Sequence, residues 1–243
     1  MHSDGSTEEK KELLWGYGSG VAAATTPNYG DVVLAEYTQP FNEGDMTYFR
    51  PLYQQTVVAL DAFPTHLTAD AAFDAWYVYE QPARRGGIAA VPLNPHTRTT
   101  FDRDRVPLCF EGLRMHPTYR YAHTYGYHAQ RYRCPLLFPQ QTGQICDHEQ
   151  FLKGKGRQKD INDEVGGRAR LLMDRTSPLY KAVYTQRTSC ERINSQAKEL
   201  GIERPRVHNG RSVANLNTLI YLVINVRALQ RARSINAGLL SIS

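Results

Sequence analysis

Two neighbouring segments limit the fold more than any other part of this sequence. Residues 17–26, YGSGVAAATT, are small and apolar, and residues 32–39, VVLAEYTQ, are apolar and β-branched. NYGD at 28–31 is a turn signal between them, so the pair predicts a β-hairpin. Its Gly-Ser-Gly lacks the following Lys-Ser/Thr and the strand-then-helix setting of a phosphate loop. Close backbone packing is the better reading of those glycines. The pattern then alternates. Residues 44–62 repeat apolar side chains at helical spacing, with Asp45 as N-cap and Pro51 near the first turns or at a kink. THLTAD (65–70) reads as a short strand that ends in Asp70, AAFDAWYVYE (71–80) as a helix, and IAAVPLN (88–94) as another strand. Strands interleaved with helices make a mixed α/β layout.

Residues 95–176 change character. They are rich in Arg, Tyr, His and Pro, have little periodicity, and hold three of the four cysteines. They read as an irregular insertion. Beyond them come a helix over 184–198 and a second over 212–232, SVANLNTLIYLVINVRALQRA, whose apolar spacing requires it to pack on the core. Charge follows the same division. The net charge is −7 over residues 1–94, +5 over 95–176 and +7 over 177–243. An anionic partner is expected along the last two-thirds, and nucleic acid is the commonest such partner. A merely basic surface is the bland alternative. No run of about 18 apolar residues predicts a transmembrane helix. The first fifteen residues lack the apolar centre of a signal peptide, so a cytoplasmic location is expected. In that setting the cysteines read as thiols or metal ligands rather than a disulfide framework.

The segment YTQRTSCERINSQAK (184–198) carries the chemistry. Tyr184, Glu191 and Lys198 stand seven residues apart and drift by only about 20° per step around a helix. Arg187 borders the same stripe. A solvated face with an Arg187–Glu191 ion pair would give this spacing too. Asp70, at the carboxyl end of a strand, sits where α/β sheets gather catalytic groups, although an N-cap explains a lone Asp there as well. Two carboxylates from separated elements, Asp70 and Glu191, suit Mg²⁺ or Mn²⁺, which take oxygen ligands. Arg187 and Lys198 suit DNA phosphates.

Tyr184-x2-Arg187-x3-Glu191-x6-Lys198 resembles the YREK signature of bacterial insertion-sequence DDE transposases. WGYGSGVAAATTP, VLAEYTQPFNEGD, DAAFDAWYVYE and the run from Glu191 to Leu229 resemble that family in the same order, over residues 14–232. The resemblance implies an α/β fold of the RNase H-like kind. Its mixed five-stranded sheet would be flanked by helices, with a basic Cys/His/Tyr-rich insertion before the last catalytic helix. Residues 14–94 would be the first part of the core, 95–176 the insertion, and 177–236 the helices that complete the core. It also implies metal-dependent DNA cleavage and strand transfer at the inverted-repeat ends of an insertion sequence. Asp70 and Glu191 would be the second and third metal-binding acids. Tyr184, Arg187 and Lys198 would hold DNA, and a second transposase protomer is an implied partner. The family's first Asp lies on a strand upstream of the hairpin. Here only a polar stretch precedes the hairpin, and Asp4 matches that position poorly. The expectation is therefore an N-terminally truncated copy, inactive alone and left with an exposed sheet edge. A non-catalytic DNA-binding remnant and another RNase H-like nuclease are the competing readings.

Cys109, Cys134, Cys146 and His148 are donors that suit a structural Zn²⁺, but their spacing lacks the short Cys-x2–4-Cys knuckle. Buried thiols are the competing reading, and Cys190 reads as packing. RMHPTYRYAHTYGYHAQRYR (114–133) mixes guanidinium groups for phosphates with rings that can stack on unpaired bases. KGKGRQK (153–159) is a second phosphate candidate.

Overall fold

The structure is a computed structural model that describes residues 16–26, 30–94 and 99–240, without the side chains of 236–240. Asp4 and the rest of the polar N-terminal stretch lie outside the described residues. In chain order the elements are β1 (Tyr17–Thr26), β2 (Gly30–Pro40), α1 (Phe49–Leu60), β3 (His66–Thr68), α2 (Trp76–Ala83), β4 (Ile88–Ala90), β5 (His116–Ala122), β6 (His128–Arg133), α3 (Glu149–Leu152), β7 (Gln158–Asn162), α4 (Val165–Leu172), α5 (Pro178–Thr185), α6 (Thr188–Glu199) and α7 (Gly210–Leu240). They form two compact units. One comprises Met1–Ala62 with Thr188–Ser243, the other Phe63–Arg187.

The first unit is built on the expected hairpin. β1 and β2 pair antiparallel from Tyr17↔Pro40 to Thr26↔Gly30, and the register steps between Ala22 and Ala23, so β2 carries one extra residue. Both faces of the hairpin are covered, which explains why its strands are apolar without strict alternation. Tyr48, in a 3₁₀ turn ahead of α1, lies on Gly18 and Gly20. A Cβ at Gly20 would sit 2.5 Å from its ring, so the glycines serve close packing, not phosphate. The other face meets α6 and α7, where Val33, Ile193, Ala197, Ile220, Tyr221 and Ile224 form the core. Asn225 of α7 covers the edge of β2 away from β1: its Oδ1 accepts from Val33 N–H at 2.8 Å and its Nδ2 donates to Val33 O at 2.9 Å. A strand edge closed by a side-chain amide cannot template another strand there. Within Gly210–Ile235, α7 holds an 18-residue window apolar enough to cross a bilayer, with a mean hydropathy of 1.3. Its Ile220, Tyr221 and Ile224 nevertheless pack in the core of this unit.

In the second unit β3 and β4 pair in parallel, His66↔Ile88 to Thr68↔Ala90, and the connection runs through α2. Asp74, its side chain fully buried, ties this unit together. It accepts Arg170 Nε and Nη2 at 2.7 and 2.6 Å, Tyr79 Oη at 2.9 Å and Asn94 N–H at 2.8 Å. Gly166 lets α4 approach α2, since a Cβ there would lie 2.1 Å from Trp76 O.

Asp45 starts a 3₁₀ turn instead of capping α1. Pro51 sits in the first turn of α1, one of the two placements expected, where its missing N–H costs nothing. Residues 95–176 are less irregular than their sequence suggests, because β5, β6 and β7 form a three-stranded antiparallel sheet. Among the described residues no five-stranded sheet is present: β1–β2 and β3–β4 are separate two-stranded sheets.

Candidate functional site

Asp70 stands two residues beyond β3 and caps the 3₁₀ turn Ala71–Phe73. Its Oδ1 accepts from Ala72 N–H at 3.0 Å, and the side chain is exposed. The N-cap reading of this acid holds, and a carboxylate with one oxygen in a cap retains further lone pairs. Asp74, four residues on, is the opposite case. Arg170 and a backbone N–H hold its carboxyl below the ordinary range against the opposing effect of burial, and the group is consumed by structure.

Tyr184 and Glu191 do not share one helix. Pro178 opens α5, with Ser177 Oγ capping Tyr180 N–H at 3.2 Å, as the proline suggests. The helix ends at Thr185, whose hydroxyl donates back to Lys181 O at 2.7 Å. The N–H groups of Gln186 and Arg187 drop to the carbonyls three residues earlier, and α6 begins at Thr188. The expected stripe is therefore divided between two helices and a turn. Tyr184 stacks on the buried Tyr180 at 5.7 Å, beside Ile88 and Ala90, and the Arg187 guanidinium lies 5.7 Å from its ring centre.

Glu191 and Lys198 do share α6. Ile193 and Ala197 turn inward, at 0% and 1% exposure, which leaves Glu191 and Lys198 on the exposed side, two turns apart. The helix is clamped on the hairpin. Arg192 donates to Asp31 at 2.5 and 2.7 Å and to Thr188 Oγ1 at 2.9 Å, and Cys190 Sγ points to Val21 O at 3.8 Å. The sequence reading missed Asp31, which is buried. Arg192 holds its carboxyl below the usual range. Lys198 pairs with Glu203 at 2.8 Å and lines a cleft of about 990 Å³ with Tyr17, Phe41, His208, Asn217 and Tyr221. Within that unit α6 thus offers one carboxylate and one cation along a rigid, well-anchored face.

The cysteines are thiols. Cys134 and Cys146 pack with Leu136, Leu137 and Phe151, and Cys146 Sγ donates to Glu111 Oε1 at 3.5 Å. His148 is engaged as the cap of α3 and stacks on Phe110 at 4.2 Å. Among the described residues no three His, Cys, Asp or Glu side chains group as a metal would require.

The chain is a mixed α/β protein that presents Asp70 just beyond β3 in one unit and Glu191 and Lys198 on the exposed side of α6 in the other. Comparison of the sequence with known families sharpens this. Residues 2–226 match the family described as transposase DDE domain, so the chain belongs to the DDE transposase family. No curated protein and no solved structure matches the chain. Membership makes DNA transposition the general function.

Proposed function

We propose that this protein cleaves and joins DNA strands at insertion-sequence ends, with Asp70 and Glu191 as metal-binding acids and Tyr184, Arg187 and Lys198 as DNA contacts. The observation that carries this reading is the α6 face. Glu191 and Lys198 stand two turns apart on the exposed side of a helix whose other side packs on the hairpin, so a carboxylate and a cation share one face. The core is RNase H-like on this reading, with residues 95–176 as its insertion.

The donor set fits Mg²⁺ or Mn²⁺: carboxylate oxygens, both exposed, one already shown to act as an acceptor at Asp70. When bound, such a metal activates a water or 3′-hydroxyl and steadies the leaving oxygen. The chain's own residues do the rest. Arg187 neutralises phosphate charge while its packing on Tyr184 fixes its direction, and Lys198 exchanges Glu203, a surface partner of small worth, for a DNA phosphate. The test is DNA bearing the element's terminal repeats, incubated with protein and Mn²⁺. Glu191→Gln should abolish nicking and leave DNA binding unchanged; nicking that survives would remove Glu191 from the site.

A further inference from the structure

Asp70 and Asp74 are the two ends of one 3₁₀ turn. Asp70 caps its start and Asp74 closes it: Phe73 N–H donates to Asp70 O at 3.1 Å, and Asp74 N–H to Ala71 O at 3.3 Å. Such a turn rises only about 2 Å per residue, so a shift at one end is carried to the other. Ahead of the turn, Thr68 Oγ1 donates to Ala90 O at 2.9 Å and holds the end of β3 on β4. Behind it, the hold on the chain is the buried Asp74 side chain.

That side chain is held from three directions. Arg170 of α4 supplies two donors, Tyr79 of α2 a third and the Asn94 N–H beyond β4 a fourth, which fills both oxygens of the carboxylate. The donors are fixed in turn. Arg175 donates to Tyr79 Oη at 3.0 Å and to Val91 O at 3.2 Å. Gly166 brings α4 against Trp76 O, and Arg170 follows one turn later on the same side of α4. Closing a three-residue turn needs only the backbone bonds. A saturated, buried carboxylate tied to a helix 96 residues away does more: it sets where the turn, and so Asp70, stands.

We propose that Asp74, gripped by Arg170, is a positioning residue for Asp70, fixing the direction in which that exposed carboxylate meets a divalent cation. This rests on the reading of Asp70 as a metal-binding acid. It gives α4, within residues 95–176, a part in arranging the site. The experiment is a Mn²⁺ titration of the whole chain, followed by the electron paramagnetic resonance of the free ion, at a temperature where circular dichroism shows each variant folded. Asp70→Asn should weaken binding most. Arg170→Gln leaves Asp70 untouched and should weaken binding by about 10-fold. Arg170→Lys keeps a cation beside Asp74, guards against loss of the fold, and should fall between Arg170→Gln and wild type. Leu136→Ala, in the cysteine cluster of the same unit, should lower the melting temperature and leave Mn²⁺ affinity unchanged. Weakening by Asp70→Asn but by neither Arg170 variant makes the grip on Asp74 mere scaffolding; it overturns this inference and spares the metal reading. A loss of affinity in Leu136→Ala equal to that in Arg170→Gln does the same, since general loosening would then explain both. Wild type that binds no Mn²⁺, or binding that Asp70→Asn leaves unchanged, overturns the metal reading of Asp70 and this inference with it.

Discussion

Single side chains separate chemistry from scaffolding in this protein. Asp70 and Asp74 occupy the same short motif, yet one faces solvent and the other is saturated by Arg170 and Tyr79. Glu191 and Arg192 are adjacent, yet one is presented and the other anchors. The anchor predicts a pH dependence. Arg192 depresses the Asp31 carboxyl, so the pair contributes stability above the unfolded value of about 3.9 and loses it as pH falls through the lower folded value. Half of the Arg192 side chain is exposed, so solvent screening limits the effect to about 1 kcal/mol. Asp31→Asn should therefore lower Tm at pH 7 and shrink the difference from wild type as the pH drops below about 4. Acid limbs that stay equally far apart down to low pH would mean that the pair carries no linked protonation.

Elements show how far the sequence could be read. The hairpin was legible because its strands are β-branched or small and its turn is marked. The break after Thr185 was not, since TQRT contains neither Gly nor Pro and the helix ends through side-chain bonding to its own backbone. The β5–β6–β7 sheet was hidden for another reason. Its arginines are held in ion pairs, Arg131 with its cross-strand neighbour Asp160 and Arg120 with Asp163 just beyond β7, so polar residues stand where alternation would place apolar ones. The role of Asp74 was equally invisible, its partner Arg170 being 96 residues away. Asn225 gives the element-scale prediction. Asn225→Ala leaves the N–H and C=O of Val33 unpaired on a β2 edge that is otherwise packed, and should cost about 2 kcal/mol in urea unfolding. A loss near zero would show that water reaches this edge and that α7 covers it only loosely.

At the scale of the whole molecule the account makes one demand. Asp70 belongs to one compact unit and Glu191 to the other, and DDE chemistry asks both carboxylates to serve the same divalent metals. The direct measurement is iron-mediated backbone scission: Fe²⁺ replaces Mg²⁺, ascorbate and peroxide generate hydroxyl radicals at the bound ion, and the chain is cut beside its ligands. The account predicts cuts flanking both residue 70 and residue 191, suppressed together by excess Mg²⁺ and by Glu191→Gln. Cuts at only one of the two positions, or at neither, would contradict a shared metal site and return Glu191 to an ordinary helix surface.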